Sequence, residues 1–209
     1  MPTRFDFKDL HDRARAARAR IALPEGEDPR TIQAAAWLSE HEVVRPILIG
    51  REATVRDVAR QSGVTLPPSV SIVDPAQSEK RQSYAQALFQ KRKHKGLTYE
   101  GAGELTEDVL YFGDLMVDAG DADGCVAGAA HPSPDVVRAA IHVLGVAEGS
   151  ALVSSFFLMV LPDGRPVTYA DCGVNAAPSP EQLASGGVDA AREHRVLTGQ
   201  EPVVAFLWF

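Results

Sequence analysis

"RIALPEGEDPRTIQAAAWLSEH", residues Arg20 to His41, opens on a short apolar run, turns through a loop rich in Glu, Gly and Pro, and continues as a helix pattern. Asp28 supplies a side-chain oxygen suited to capping a helix start, and Pro29 takes the first helical position, where its missing N–H costs nothing. The same punctuation repeats. "VRPILIG" (44–50) precedes "EATVRDVARQSG" (52–63), a helix pattern that Gly63 ends. "SVSIVDP" (69–75) precedes a longer one, "EKRQSYAQALFQKRKHKG" (79–96), and "DADGCVAG" (121–128) precedes "SPDVVRAAIHVLG" (133–145). Strand and helix in alternation predict an α/β fold. Its core is a largely parallel sheet with helices on both faces, a three-layer αβα arrangement.

Further along, "SALVSSFFLMVLP" (150–162) and "RPVTYADC" (165–172) read as two more strands, followed by the helix pattern "SPEQLASGGVDAAREHRVLTG" (179–199). Gly186 and Gly187 are expected to interrupt that helix, at a cost of up to roughly 2 kcal/mol relative to alanines. "PVVAFLWF" (202–209) reads as a buried strand in the middle of a sheet. A boundary is expected between Gly145 and Ser150. It divides the chain into a first α/β domain over 1–148 and the start of a second over 149–209.

Composition narrows the class. The 209 residues are 45% hydrophobic, enough to build a core and too apolar for a disordered chain. The net charge of −7 removes any global attraction to nucleic acid or an anionic membrane. Cys125 and Cys172 form no disulfide framework and no zinc-ligand spacing. The N-terminal residues lack the apolar core of a secretory signal, and no apolar run reaches membrane-spanning length. The expected location is cytoplasmic, with no membrane and no nucleic-acid partner. "TVRDVARQSGVT" (54–65) has the look of a helix-turn-helix, but Pro67 and Pro68 fall where a recognition helix would begin.

Four stretches could carry chemistry. "KRKHKG" (91–96) places five cationic or titratable side chains at a helix C-terminus. Capping the helix dipole accounts for one or two of them, and an anion such as a phosphoryl group accounts for the density as well. Both readings stay open. "GDADGCVAGAAHPSPDVVRAAI" (120–141) has the strand, small-residue loop and helix start of a generic anion cradle. Ser133 or Asp135 is the expected cap there, and Arg138, in the first turns, is easiest to understand if it reaches an anion. Ser154 and Ser155 interrupt an apolar strand, with Asp171 as a buried acceptor and Asn175 as a turn former. The histidines at 41, 94, 131, 142 and 194 show no metal-ligand spacing and read mostly as surface or packing residues, so no metal is expected. Cys172 has no evident base beside it, and there is no G-x-S-x-G elbow.

Taken in order, "RIALPEGEDPRTIQAAA", "FQKRKHKGLT", "GDADGCVAGAAHPSPDVVRAA", "VSSFFLMVLPDG", "YADCGVN" and "EPVVAFL" resemble the phosphate acetyltransferase pattern of the phosphate acetyl/butyryltransferase family. The resemblance runs from about Arg20 to the last residue. It implies transfer of an acetyl group between coenzyme A and inorganic phosphate, with acetyl-CoA as a substrate and no bound cofactor. It further implies two α/β domains with a cleft between them, usually in a homodimer. By position in the motifs, Arg92 and Arg138 become the residues for phosphate and acyl-phosphate binding, and His131, Ser133, Ser154 and Ser155 further cleft residues. The family's general base and serine–arginine pair lie past the strand matched by "VVAFLWF". The resemblance therefore implies an N-terminal part of the catalytic module, with the C-terminal part missing and weak or no turnover. A phosphate butyryltransferase, or a non-catalytic fragment that binds coenzyme A or phosphate or pairs with another subunit, remain the alternatives.

Overall fold

A computed structural model describes residues 4–207 of the chain. They fall into two compact units: His11–Gly145, and the remaining described residues up to Leu10 and from Val146 onward. In the first unit the strands β1 (Arg20–Leu23), β2 (Arg45–Ile49), β3 (Ser71–Val73) and β4 (Gly124–Cys125) form one parallel sheet in the order β3-β2-β1-β4. Helix α1 (Phe7–Ala17) precedes the sheet. Helices α2 (Pro29–Glu40) and α3 (Glu52–Gln61) connect the first three strands. Helices α4 (Arg81–Arg92), α5 (Tyr99–Leu105) and α6 (Val109–Asp118) intervene before β4, and α7 (Ser133–Val143) follows it.

Side chains on a strand alternate between faces, and the two cores of this unit record that alternation. Leu23 and Leu48 pack with Ile32, Ala35, Val55 and Ala59 from α2 and α3. Their neighbours Ala22, Ile47 and Ile49 pack with Leu88 of α4, Leu110, Phe112 and Leu115 of α6, and Ala139 and Val143 of α7. Strands buried on both faces need apolar residues at every position, which is what "IALP" and "PILIG" supply. The three-layer reading of the sequence holds for this unit.

Caps set the helix starts. Asp28 accepts from the Arg30 N–H with Pro29 at the first helical position, as the sequence predicts. Asp108 caps α6 by accepting from Leu110 and Tyr111 N–H groups. The sequence pattern predicts no helix over 99–118, yet α6 is the most buried helix of the unit. Leu110, Tyr111, Phe112, Gly113, Asp114, Leu115 and Met116 are all buried, so it shows no polar face for a periodicity argument to find. The strand expected over 121–128 shrinks to Gly124–Cys125, because only Ile21 and Ala22 of β1 face it across the ladder.

The second unit holds β5 (Phe156–Val160) and β6 (Pro166–Ala170), an antiparallel hairpin, and α8 (Pro180–Thr198). Ser179 and Gln182 close a reciprocal capping box at the start of α8. Two expectations fail here. Helix α8 runs unbroken through Gly186 and Gly187. Gly187 serves as a contact point: a Cβ there would lie 2.8 Å from the Phe206 ring. The run from Pro202 to Leu207 is not a strand, and Val203 is 97% and Leu207 77% exposed. A strand exists only by its ladder of backbone bonds, and among the described residues this run has no strand partner. Trp208 and Phe209 lie outside the described residues.

The second half of "TVRDVARQSGVT" forms no recognition helix: α3 ends at Gln61, Gly63 takes the left-handed conformation, and the chain proceeds to β3. No helix among the described residues is long and apolar enough to cross a membrane.

The tightest backbone approach in the first unit is at Gly26, just past β1. A Cβ there would meet the Ile49 carbonyl oxygen at 2.7 Å and its nitrogen at 2.9 Å, and neither backbone atom can rotate away. Gly26→Ala is expected to destabilise the chain by about 2 kcal/mol or more, from overpacking and from loss of the Gly26 N–H bond to Ile49. Denaturant unfolding of the variant would show it as a lower midpoint with an unchanged slope.

Candidate functional site

The chain runs from β1 outward through β2 to β3 and then crosses back to place β4 on the other edge of β1, so the strand order reverses between β1 and β4. The crevice beyond the C-terminal ends of β1 and β4 is the usual place for a ligand in such a sheet. Here that crevice is filled by the protein itself. Gly128, at φ 107°, turns the chain after β4 and presents four successive amides. The Glu25 carboxylate, on the loop after β1, accepts all four: Gly128 and Ala129 on Oε2 at 2.9 and 2.8 Å, Ala130 and His131 on Oε1 at 2.8 Å each. The His131 ring adds a fifth contact, Nδ1 lying 3.0 Å from Oε1. A carboxylate only accepts, so Nδ1 carries the proton and Nε2 is left for solvent or ligand. The anion cradle expected from the sequence is therefore real, and its anion is internal.

The Glu25 side chain is 3% exposed. Burial opposes its charge, but the amides of Ala130, His131 and Ala129 outweigh burial and hold its pKa at about 2. Arg30 braces the same loop by donating to the Ala129 carbonyl.

A second cluster lies on the helical face carrying α4, α6 and α7. Of the cations at 91–95, Lys91 is paired with Asp118 and Lys93 donates to Gln90. Arg92, half-buried at the last turn of α4, has no hydrogen bond or ion pair from its guanidinium among the described residues. It acts electrostatically on Tyr111 of α6 and His142 of α7, and so does Arg138 of α7. Arg138 and His142 stand four residues apart and so share a face of α7. The Tyr111 hydroxyl and His142 Nδ1 are 2.8 Å apart. Burial first, then Arg92 and Arg138, push the His142 pKa below the usual histidine range, while burial and Asp108 raise that of Tyr111. Two guanidiniums thus bear on one imidazole, with Asp135 bonded to Arg138 at 2.8 Å as the carboxylate in direct contact. The arrangement suits a multiply charged anion with oxygen acceptors.

The remaining sequence candidates are placed as follows. Ser133 opens α7 but does not cap it: Pro132 stands at the cap position without a side-chain bond, and Asp135 is engaged with Arg138. Arg138 is the sixth residue of α7, in its second turn. Ser154 and Ser155 precede β5 instead of interrupting it, because the ladder begins at Phe156. Ser155 Oγ donates to Asp171 and accepts from the Cys172 N–H at 3.0 Å. Asp171 is the acceptor the sequence predicts, and Asn175 bonds it through both backbone and side chain. Against the opposing effect of burial, Ser155, Asn175 and the Gly173 and Val174 amides hold Asp171 far below the usual carboxylate range. Ser154 lines a cavity of about 580 Å³ within the second unit, together with Thr168, Asn175, Gln182, His194 and Phe206.

Burial pushes the Cys125 thiol up to about 12, so it is inert as a nucleophile. Among the described residues no cluster of His, Cys, Asp and Glu has the makings of a metal site. The sequence points to no role for Tyr111 and gives His142 only as one of the surface or packing histidines. The cap at Asp108 followed by an unbroken apolar run was the available signal for α6, and the i, i+4 spacing of Arg138 and His142 the signal for the shared face.

Glu25→Gln replaces two charge-assisted acceptors with one neutral carbonyl and an NH₂ group facing N–H donors. A loss of about 2–3 kcal/mol is expected at neutral pH. The native carboxylate's contribution is present above the ordinary glutamate pKa of 4.5 and lost as pH falls toward 2. Unfolding at a series of pH values should therefore show the gap between native and variant closing through that window.

Comparison with known proteins gives a consistent picture. Residues 7–209 match the family described as "Phosphate acetyl/butaryl transferase". The phosphate acetyltransferase of Haemophilus influenzae is 39% identical over 206 residues, which is 99% of this chain and 28% of that relative. That of Thermoanaerobacterium thermosaccharolyticum is 38% identical over 208 residues, 97% of this chain and 62% of the relative. Among solved structures, the EutD phosphotransacetylase from Staphylococcus aureus superposes with a TM-score of 0.83 at 33% identity, over 93% of this chain and 59% of the other. A phosphotransacetylase from Streptococcus pyogenes gives 0.84 at 30% identity. The chain thus spans between about a quarter and three-fifths of the relatives it matches.

Proposed function

Because the chain belongs to the phosphate acetyl/butyryl transferase family, we propose that it carries the phosphate-gripping part of an acyltransferase that moves an acetyl group between acetyl-CoA and inorganic phosphate. The observation that carries this reading is the Arg92 guanidinium, without a hydrogen bond or ion pair among the described residues, which bears together with Arg138 on His142. Arg92 is half-buried and Arg138 exposed; their like charges repel, and a phosphate or acyl-phosphate dianion converts that repulsion into charge-assisted hydrogen bonds. With acetyl phosphate as the acyl donor, the coenzyme A thiol gives up its proton to solvent and its sulfur forms a bond to the acetyl carbon. The carbon–oxygen bond to phosphate breaks, and phosphate departs with the electron pair. Arg92 and Arg138 would hold that departing phosphate and stabilise its growing charge.

Acetyl-CoA and phosphate are the small-molecule partners in this reading, coenzyme A being a substrate and not a resident cofactor. The relatives' names favour acetyl over butyryl transfer. The reading includes the two units as the family's two α/β domains, a homodimeric assembly and a cytoplasmic setting. His131, with its free Nε2, and Ser133 are proposed as further contacts in the first unit, and Ser154 and Ser155 in the second. Ser155, committed to Asp171, would act by holding the 171–175 turn.

Arg92→Ala and Arg138→Ala are each expected to weaken binding of inorganic phosphate by about tenfold or more, and the double variant to abolish it. Calorimetric titration of the folded chain with phosphate reads this directly. Unchanged affinity in both single variants removes the site from the reaction. Phosphate-dependent thiol release from acetyl-CoA, with butyryl-CoA as competitor, then tests the acyl group.

A further inference from the structure

We propose that His142 is a third ligand of the anion held by Arg92 and Arg138, neutral in the absence of the anion and taking a proton from solvent as the anion docks, with the Tyr111 hydroxyl bonded to its Nδ1 throughout. The inference rests on the anion-site reading above and adds to it a residue and a proton.

Position comes first. His142 lies one turn beyond Arg138 on α7, so the two side chains emerge on the same face. Across from them, α4 contributes Arg92 and α6 contributes Tyr111. The titratable and charged groups around the Tyr111–His142 pair are Arg92 from α4, Asp108 and Asp114 from α6, and Arg138 from α7, itself bonded to Asp135. Asp108 is committed to capping α6, and Asp114 is turned to the Cys125 thiol. Neither carboxylate is among the groups that bear on His142. The imidazole therefore feels two positive charges and partial burial, which both favour its neutral form.

A bound dianion reverses that balance. It offsets the field of the two arginines and offers an acceptor to an imidazolium N–H, so the proton-bound state becomes the preferred one. Tyr111 is suited to both states. A hydroxyl donates to a bare Nδ1 and accepts from a protonated one by rotating its hydrogen, so the 2.8 Å contact survives the change. Burial keeps the hydroxyl itself protonated throughout. One proton enters from solvent for each anion bound, and it leaves when the anion does.

By linkage, affinity for a dianion rises as pH falls through the anion-bound pKa of His142 and levels off below its anion-free pKa. Inorganic phosphate changes its own charge in this range, so sulfate, which does not, is the probe. Titration of the intact chain with sulfate between about pH 8 and pH 5 should show roughly tenfold tighter binding at the acidic end. His142→Gln should bind sulfate more weakly than the native chain, without losing it, and show no gain toward the acidic end. Calorimetry near neutral pH in two buffers of different ionisation enthalpy should show proton uptake by the native chain, diminished in the variant.

A pH dependence unchanged in His142→Gln, or loss of sulfate binding at every pH by a folded variant, overturns the inference while leaving the arginine site intact. Absence of sulfate and phosphate binding in the native chain overturns the site reading itself. Should His142→Gln fail to fold, the native chain decides the matter, since zero proton uptake across the range contradicts the proposal. Tyr111→Phe, which keeps the ring and removes the hydroxyl, should shift the pH profile without abolishing the alkaline affinity. An unshifted profile would mean that the 2.8 Å contact only ties α6 to α7.

Discussion

The Glu25 carboxylate is the knot of the four-stranded unit. It sits on the loop leaving β1, and the four amides it binds belong to the loop leaving β4, 103 to 106 residues away in sequence. The strand β4 is only two residues long and has few ladder bonds of its own. Its place beside β1 depends on groups at both of its ends. Arg20 and Asp123 join the N-terminal ends at 2.7 Å, and Glu25 closes the C-terminal ends. A buried carboxylate is costly unless every lone pair is engaged, and four amides with an imidazole engage this one. The loop geometry that such bonding demands also sets the direction in which α7 departs, and so the face on which Arg138 and His142 are carried.

A consequence follows for the chemistry. Parallel sheets of this order commonly bind ligands at the switch point, where amides and a helix N-terminus are exposed. With those amides already satisfied, the electropositive character of the unit moves outward to side chains on α4 and α7. Arg92 and Arg138 differ in their surroundings: one is half-buried without a partner among the described residues, the other is tethered to Asp135. Side-chain guanidiniums reach farther than backbone amides and tolerate a ligand that arrives and leaves. A fixed amide nest suits a permanent occupant, which is what Glu25 is.

Much of this unit could be read before any coordinates. The apolar runs "RIAL" and "RPILI", the Asp28-Pro29 start of α2 and the stop at Gly63 are local signals, and each appears where the pattern places it. Helix α6 was lost for a physical reason. Buried on all sides, it carries no amphipathic period, and its residues resemble a strand as much as a helix. The run 202–207 erred in the opposite direction. Its apolarity reads as a central strand, but a strand is defined by neighbours that composition does not specify. The strand expected from Ser150 begins only at Phe156, which leaves Ser154 and Ser155 before it, since ladder ends depend on what the partner strand offers.

The site divides along the same line. The sequence by itself determined the fold class, the cations at 91–95 and Arg138, and a loop shaped to bind an anion, because periodicity, capping and turn chemistry act over a few residues. Only the tertiary structure decided which anion that loop holds, which of the clustered cations is half-buried without a partner among the described residues, and that His142 and Tyr111 bond to each other beside it. Those outcomes depend on contacts between residues that are remote in the chain, such as Glu25 with Gly128 and Tyr111 with His142. Such contacts are set by the order of strands in the sheet and by which helices share a face, and no local pattern encodes either.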